Sequence, residues 1–276
     1  MLSIITPVYN SERFIAACLE TVIDQQCTDL EHILVDGGST DRTVEIIKQY
    51  AARYPHIRWV SERDRGQSDA MNKGIVMAKG TVMGLLNVDD SYEPNVLTTI
   101  VDRFKMLPEP TLLVGNCNVW DDTGNLLEVN KPSKLRLFDL VTGLNVNPYP
   151  CNPAAYFYHT SLHQKIGFYS LNDHHSMDLE FILRAVQVAN VVYVDQVWGN
   201  YHRLEGTKTV DDMKNGRTNQ RVTQLLKQYR KDLTTLQRWQ LTLRDRLATL
   251  SYFLQKPQTL PQVIRAKLFK PSLDLR

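Results

Sequence analysis

The sequence is poor in cysteine and in long apolar runs. Its four cysteines, Cys18, Cys27, Cys117 and Cys151, are scattered without a Cys-x-x-Cys pair. This argues against a structural zinc site and a disulfide framework, and it favours a reducing, cytoplasmic location. No stretch approaches the roughly 18 apolar residues of a membrane span. The segment 1–7 lacks the basic and apolar regions of a signal peptide, so we expect no export signal there.

Glycine is also missing from the places where two large nucleotide-binding classes need it. No glycine lies between Thr6 and Phe14, which excludes the Gly-x-Gly-x-x-Gly fingerprint of a dinucleotide-binding dehydrogenase. A nucleotidyltransferase would need a glycine-rich loop with Lys or Arg in the same region, and residues 6–13 contain no such loop. Gly37-Gly38 is not followed by Gly-Lys-Ser or Gly-Lys-Thr, so it is not a P-loop.

Charge is balanced overall but divided unevenly along the chain. The net charge of the 276 residues is +2, and 43% of them are hydrophobic, which is typical of a globular protein. Residues 1–213 carry 18 Lys and Arg against 27 Asp and Glu, whereas residues 214–276 carry 14 against 3. We therefore predict an acidic body, 1–213, and a basic tail, 214–276.

Within the first 110 residues, short apolar runs alternate with segments of helical spacing. The predicted strands cover residues 2–5, 32–36, 57–60 and 81–86. The predicted helices cover residues 11–26, 41–54, 68–77 and 95–106. Such alternation predicts an α/β fold with a mostly parallel central sheet flanked by helices. The pattern is weaker over 111–213, which we treat as the second half of the body.

A polar cluster follows each of the four predicted strands. The clusters are Thr6-Pro7-Val8-Tyr9-Asn10, Asp36-Gly37-Gly38-Ser39-Thr40-Asp41, Ser61-Glu62-Arg63-Asp64-Arg65-Gly66 and Asn87-Val88-Asp89-Asp90. Because the carboxyl ends of parallel strands meet at one edge of a sheet, ligands bind there in such folds. The four clusters together predict one site.

Asp89 and Asp90 end an apolar run, where two adjacent carboxylates repel each other. A bound divalent cation would relieve that repulsion, and oxygen ligands suit Mg²⁺ or Mn²⁺. The alternative is a solvated turn that caps the next helix.

With these motifs in view, the chain resembles family 2 of the inverting glycosyltransferases, which have the GT-A fold. The resemblance covers roughly residues 1–210, and the segment 61–74 is close to one from a bacterial polysaccharide-type subgroup. It implies a UDP-sugar as donor and a glycan or lipid-linked acceptor in cell-surface polysaccharide synthesis. Residues 1–110 would bind the nucleotide and 111–213 the acceptor. A non-catalytic protein that binds a nucleotide sugar is the alternative, because Asn87 and Met177 depart from the family pattern.

The resemblance also implies roles for individual residues at the nucleotide. Thr6, Pro7 and Tyr9 would line the base or ribose pocket. Asp36 would accept a hydrogen bond from the base, although an Asp before Gly-Gly is also common in turns. Further residues are expected at the ribose, the diphosphate and the metal: Asp69, Asn72, Lys73, Asn87, Asp89 and Asp90. Of these, Lys73 could instead fix Asp36 and Asp69, or it could be a solvated surface lysine. Asp90 is expected to be the main metal carboxylate, and Asp89 is expected to contact both the ribose and the metal.

Asp178 would be the general base that takes the proton of the acceptor hydroxyl, with Glu180 as the competing assignment. An N-cap role for Asp178 is compatible with this, since a helix follows it. A basic loop is predicted over 201–209, where His202, Arg203 and Lys208 are the candidates for contact with phosphate.

The basic tail shows leucines and a tyrosine at alternating intervals of three and four residues, with one gap at Gln240, which predicts a helical stripe. The positions are Leu226, Tyr229, Leu233, Leu236, Leu243, Leu247, Leu250 and Leu254. The tail could pack on the body, pair with a second copy in a homodimer, or lie on an anionic membrane surface at the cytoplasmic face. No aromatic stacking pattern supports nucleic-acid binding.

Overall fold

The computed structural model describes residues 1–143, 147–171, 176–206, 210, 215 and 217–255. The chain divides into two compact units, Met1–Tyr229 and Arg230–Arg276, which we call the first and second unit. The sequence predicted a boundary after residue 213, whereas this division falls after Tyr229.

The first unit contains an extended sheet and most of the helices. Its strands are β1 (Leu2–Val8), β2 (Leu30–Asp36), β3 (Ile57–Ser61), β4 (Val82–Leu85), β5 (Ser91–Tyr92), β6 (Thr111–Asp121), β7 (Leu126–Asn130), β8 (Tyr156–His159) and β9 (Asn190–Arg203). Its helices are α1 (Ile15–Ile23), α2 (Thr43–Arg53), α3 (Gln67–Met77), α4 (Val96–Phe104), α5 (Leu137–Leu140), α6 (Leu162–Ile166), α7 (Met177–Ala185) and α8 (Arg217–Tyr229).

The central strands are apolar because both of their faces are covered. Every residue of β1 and β2 is buried, as expected for parallel strands between two layers of helices. Helix α1 buries Ile15, Cys18, Leu19 and Val22, which recur at the spacing of one helical face. Each fully buried aliphatic side chain contributes about 1.5–3 kcal/mol to stability.

The strands form one sheet in the order β3-β2-β1-β4-β8-β6-β9-β5, with β7 paired to β6. Strands β3, β2, β1 and β4 run parallel to one another, which confirms the prediction for the first half. Strand β8 is antiparallel to both of its neighbours, β4 and β6. The second half of the sheet is therefore mixed.

The strand order explains where a ligand site can form. The chain moves outward from β1 to β2 and β3, and it then returns to place β4 on the other side of β1. The loops after β1 and β4 consequently diverge, and they leave a crevice at the carboxyl ends of these two strands.

Strand β9 is much longer than the sequence indicated. It pairs in parallel with β6 as far as Asp121 and Arg203, so Tyr201, His202 and Arg203 lie in a strand. The prediction of a loop is wrong for these three residues, because the partners that extend the strand, Val119 to Asp121, are 82 residues distant in sequence. Lys208, the third phosphate candidate, lies outside the described residues.

The second unit contains a 3₁₀ turn, Arg230–Asp232, and the helix α9, Thr235–Gln255. Leu233 is buried, as the predicted stripe required, but Leu236, Leu243 and Leu247 are 64%, 43% and 56% exposed. In the part of the chain that the structure describes, no helix is long and apolar enough to cross a membrane.

Candidate active site

A cavity of about 730 Å³ opens at the carboxyl ends of the parallel strands. Five of the predicted site residues line it: Pro7, Tyr9, Asn87, Asp89 and His202. They come from the end of β1 and the loop that follows it, from the loop after β4 and from the end of β9. The cavity thus occupies the crevice that the strand order creates.

The Asp36 carboxylate is already occupied by hydrogen bonds from its own turn. Asp36 is fully buried, and its oxygens accept from the backbone N–H groups of Gly38 and Ser39, both at 3.1 Å. They also accept from the hydroxyl of Ser39 and, at 2.6 Å, from that of Ser61. A carboxylate has about four acceptor positions, so Asp36 has little capacity left for a base. The structure places it beneath the cavity as the organiser of the Gly37-Gly38 turn.

Thr6 and Asn72 likewise have structural partners. The Thr6 hydroxyl lies 2.9 Å from Nε2 of the buried His32. The Asn72 amide donates to the Tyr169 carbonyl and accepts from the Tyr169 N–H, both at 2.9 Å. The structure does not bring either side chain to the cavity wall; Asn72 instead ties α3 to the segment that follows α6.

Lys73 and Asp69 form part of an ion-pair group beside the cavity. The Lys73 ammonium lies 2.9 Å from Glu62 and 3.7 Å from Asp69, and it donates to the Arg63 carbonyl at 3.1 Å. The hydrogen bond to Glu62 raises the pKa of Lys73. In this arrangement Lys73 fixes the loop after β3.

The two adjacent aspartates have different environments. Asp90 is 3% exposed, and its Oδ2 accepts from the side-chain amides of Asn87 at 2.9 Å and Asn152 at 2.7 Å. Its Oδ1 accepts from the His202 backbone N–H at 3.2 Å. Burial, followed by repulsion from Asp89, raises the pKa of Asp90.

Asp89, by contrast, lines the cavity. Burial also raises the pKa of Asp89, while a hydrogen bond from its own backbone N–H lowers it. Among the described residues no side chain donates a hydrogen bond to this carboxylate, so it can bind a ligand. The metal assignment predicted for Asp90 therefore fits Asp89 better, since Asp90 has its oxygens engaged in holding the loop.

The contacts of Asn87 explain why an amide rather than a carboxylate stands at this position. Its amide nitrogen donates to Asp90, and its oxygen accepts from Gln67 Nε2 at 3.0 Å. An acidic residue at position 87 would put a third negative charge beside Asp89 and Asp90. The amide instead bridges the loop after β4 to the start of α3.

His202 is held against the aspartates from the opposite strand. Strand β5 pairs with β9 through Ser91 and Asn200, which brings His202 next to the loop after β4. His202 Nδ1 lies 3.0 Å from the Asp89 carbonyl oxygen. Because a carbonyl can only accept, Nδ1 carries a proton, and in the neutral imidazole the lone pair is on Nε2.

Arg203 follows His202 but points to a different partner. It forms an ion pair with Glu128 at 3.0 Å and lies over the ring of Tyr201. It does not line the cavity.

Asp178 lies in the first turn of α7, directly after the N-cap residue Ser176 and Met177. Burial raises its pKa to about 6, while a hydrogen bond from Tyr156 lowers it; the Tyr156 hydroxyl is 3.3 Å from Oδ1. Glu180 has a different environment, because Arg184 lies 3.8 Å from it. The contact between Ser68 and Met177 anchors this end of α7 to α3.

Several lining residues were not identified as site residues from the sequence. Arg63, Asp64 and Gln67 line the cavity from the segment after β3, and Tyr201 lines it from β9. The sequence predicts a polar strand-end cluster over 61–66, so it contains a signal for Asp64. Tyr201 was misplaced because its strand was assigned to a loop.

The residues present fit a metal that is held partly by substrate. Within the described ranges, no group of three or more His, Cys, Asp or Glu side chains could hold an ion. Asp89 and the lone pair of His202 could supply one or two ligands. This suits Mg²⁺ or Mn²⁺, which usually keep several waters and bridge to substrate phosphates.

Comparisons with known proteins identify relatives for this arrangement. Residues 3–155 match the model of the family described as Glycosyl transferase family 2. The chain is 36% identical over 145 residues to the uncharacterized glycosyltransferase YibD of Escherichia coli (strain K12), covering 51% of this chain and 41% of YibD. It is 32% identical over 215 residues to the PGL/p-HBAD biosynthesis glycosyltransferase Rv2957 of Mycobacterium tuberculosis, covering 75% and 78%.

Solved structures show the same fold. S. aureus TarS 1-349 in complex with UDP superimposes with a TM-score of 0.64 at 19% identity, over 96% of this chain and 78% of the TarS 1-349 chain. A Pyrobaculum calidifontis mannosyltransferase in complex with GDP-Man and Mn²⁺ gives 0.56 at 16%, over 98% and 81%. These likenesses confirm the predicted GT-A fold.

The chain spans less than half the length of YibD, whereas it covers more than two thirds of the mycobacterial relative. The family match itself covers more than half of this chain. The chain therefore belongs to glycosyl transferase family 2.

Proposed function

We propose that this protein is an inverting, metal-dependent glycosyltransferase that uses a UDP-sugar. The acceptor would be a glycan or a lipid-linked saccharide in the synthesis of a cell-surface polysaccharide. The observation that carries the proposal is a cavity at the strand ends with the Asp89 carboxylate in its wall, in a chain that also holds Asp178, whose pKa is raised to about 6. A structural neighbour with bound UDP supports the choice of nucleotide.

Asp89 and His202 would hold the metal together with the diphosphate of the donor. The metal supplies positive charge that stabilises the diphosphate as it leaves. Asp90, Asn152 and Asn87 position this loop through the hydrogen bonds to Asp90. Oxygen ligands and a neighbour with bound Mn²⁺ support Mn²⁺ or Mg²⁺.

Asp178 would accept the proton of the acceptor hydroxyl as its oxygen attacks the anomeric carbon. The bond between that carbon and the diphosphate breaks on the opposite side, so the configuration inverts. One base is sufficient for such a single displacement. A pKa of about 6 keeps Asp178 ionised at neutral pH while making it a stronger base than an exposed aspartate.

A panel of nucleotide sugars tests the donor. We expect UDP-sugars to raise the melting temperature of the protein in the presence of Mn²⁺, because a ligand that binds the folded state and not the unfolded state stabilises the folded protein. The sugar of the best binder should then be released or transferred, with inversion detectable by NMR of the product. Failure of every nucleotide sugar to bind would contradict the proposal, and binding without turnover would favour the non-catalytic alternative.

We also propose that α9 lies on an anionic membrane surface. Leu236, Trp239, Leu243 and Leu247 are exposed and, at intervals of three and four, share one helical face. Arg244 and Arg246 flank this face on either side by helical geometry. An apolar face with basic flanks is typical of a helix that lies in the membrane interface.

Trp239→Glu tests the membrane contact, with Thr242→Glu as a control that adds the same charge on another face of α9. We expect wild-type protein to sediment with vesicles that contain phosphatidylglycerol, and Trp239→Glu to weaken this at least about tenfold, since it replaces an aromatic anchor by a charge. The control should bind like wild type. Concentration-dependent dimerisation without vesicle binding would contradict the proposal and favour a homodimer.

A further inference from the structure

Two acidic side chains line the cavity, Asp64 and Asp89. Asp89 is proposed to hold the metal, and Asp64 has no proposed role. It lies in the loop between β3 and α3 and lines the cavity. Its Oδ1 accepts a hydrogen bond from the Gly66 N–H at 2.8 Å. Among the described residues, none donates a hydrogen bond to Oδ2. One oxygen thus holds the turn, and the other is available to a ligand.

The position of Oδ2 depends on a neighbouring glycine. A Cβ added to Gly37 would lie 2.5 Å from Asp64 Oδ2 and 3.0 Å from its Cγ. These distances are shorter than van der Waals contact, so a side chain at position 37 would displace the carboxylate. Gly37 therefore has a packing reason to be glycine: its missing side chain leaves the space that Asp64 occupies.

Asp64 lies where Asp36 was expected to act. Asp36 ends β2 directly before Gly37, but its oxygens are occupied by Gly38, Ser39 and Ser61. The Asp64 carboxylate covers Gly37 from the neighbouring loop and faces the same turn. The cavity thus retains one carboxylate beside this turn, supplied by a different strand end.

We infer that Asp64 recognises the ring N–H of the nucleotide base. A carboxylate can only accept hydrogen bonds. Uracil and guanine present a ring N–H to such an acceptor, whereas cytosine and adenine present a lone pair at the equivalent ring nitrogen. Asp64 would therefore admit the first two bases and disfavour the other two. This inference rests on the proposed nucleotide-sugar function and adds the residue that selects the base.

Asp64→Asn separates recognition from structure. The Asn side chain can still accept from the Gly66 N–H, because Asn forms the same turn as Asp. Its amide can also donate to the cytosine ring nitrogen. We expect wild-type protein with Mn²⁺ to bind UDP at least about tenfold more tightly than CDP, since a hydrogen bond to a charged group contributes that much or more. In Asp64→Asn the ratio should fall to about one, measured by titration calorimetry.

Two further variants complete the experiment. Glu62→Gln removes the same charge from the same loop and should retain the preference for UDP. Gly37→Ala should reduce it, because its Cβ displaces Asp64; Gly37 is not among the residues with positive φ, so its backbone tolerates alanine. If Asp64→Asn does not fold, the ratio of UDP to CDP affinity in Gly37→Ala tests the role of Asp64, and an unchanged ratio would contradict it.

The possible outcomes distinguish failure of the role of Asp64 from failure of the proposed glycosyltransferase function. Equal binding of UDP and CDP by wild-type protein, or an unchanged ratio in folded Asp64→Asn, would overturn the role of Asp64 and leave glycosyl transfer standing. Failure of wild-type protein to bind UDP, GDP, CDP or ADP would instead contradict the proposed function. Tighter binding of GDP than UDP, lost in Asp64→Asn, would support Asp64 while replacing uracil by guanine.

Discussion

Asp178→Asn is expected to lower the rate of sugar transfer by about 10²–10⁴-fold while leaving the affinity for UDP unchanged. Asparagine has the size of aspartate but cannot take the proton of the acceptor hydroxyl. The nucleotide contacts are assigned to the cavity wall, which does not include Asp178. The assay would use the UDP-sugar that binds best in the panel, at a saturating concentration and with acceptor present. The rate at which UDP is released would then report the loss of transfer.

Glu180→Gln is the matched control for this variant. Glu180 lies two residues further along α7 and is near Arg184, so we expect its substitution to retain transfer. The reverse result, with Glu180→Gln inactive and Asp178→Asn active, would move the base to Glu180. Loss of UDP binding in Asp178→Asn would also contradict the assignment.

The pH profile gives the same prediction a second readout. Because burial raises the pKa of Asp178 to about 6 and the base must be ionised, kcat/KM should fall as the pH drops through about 6. The hydrogen bond from Tyr156 lowers this pKa. Tyr156→Phe should therefore move the acidic limb to higher pH, which a merely structural role for Asp178 would not produce.

Asp89→Asn is expected to abolish the effect of Mn²⁺ on UDP binding. The Asp89 carboxylate lines the cavity, and we propose that it is the principal protein ligand of the metal. In wild-type protein Mn²⁺ should tighten UDP binding at least about tenfold, since a cation held by Asp89 would supply positive charge that attracts the diphosphate. In Asp89→Asn the affinities with and without Mn²⁺ should agree, as measured by titration calorimetry.

Two comparisons make this result specific. Asp122→Asn removes one negative charge from an exposed position and should leave the Mn²⁺ effect intact. Asp90→Asn distinguishes the two adjacent aspartates. If the metal effect disappeared in Asp90→Asn and persisted in Asp89→Asn, Asp90 would be the metal carboxylate, as the sequence first indicated.

The first half of the fold was predictable because its signals are local. Strand β1 is an apolar run that is buried on both faces, and α1 repeats its apolar residues at helical spacing. Neither pattern depends on distant parts of the chain. Polar residues at the ends of four such strands were sufficient to locate the cavity, since the order of β/α units restricts where loops can converge.

The second half depends on partners that are far apart in sequence. Strand β9 extends to Arg203 because β6 pairs with it, and the two-residue strand β5 exists only through β9. The apolar pattern of Tyr201-His202-Arg203 by itself does not indicate a strand. For this reason the sequence predicted a loop where the structure has an edge of the site.

The sequence by itself determined the α/β class, the family and the edge of the sheet at which the site lies. Only the tertiary structure decided which carboxylates face the cavity. Asp36 and Asp90 are occupied by donors that include Ser61, Asn152 and His202, whereas Asp64 and Asp89 line the cavity. A carboxylate can bind a ligand only with the lone pairs that its folded surroundings leave unused, and distant residues determine which those are.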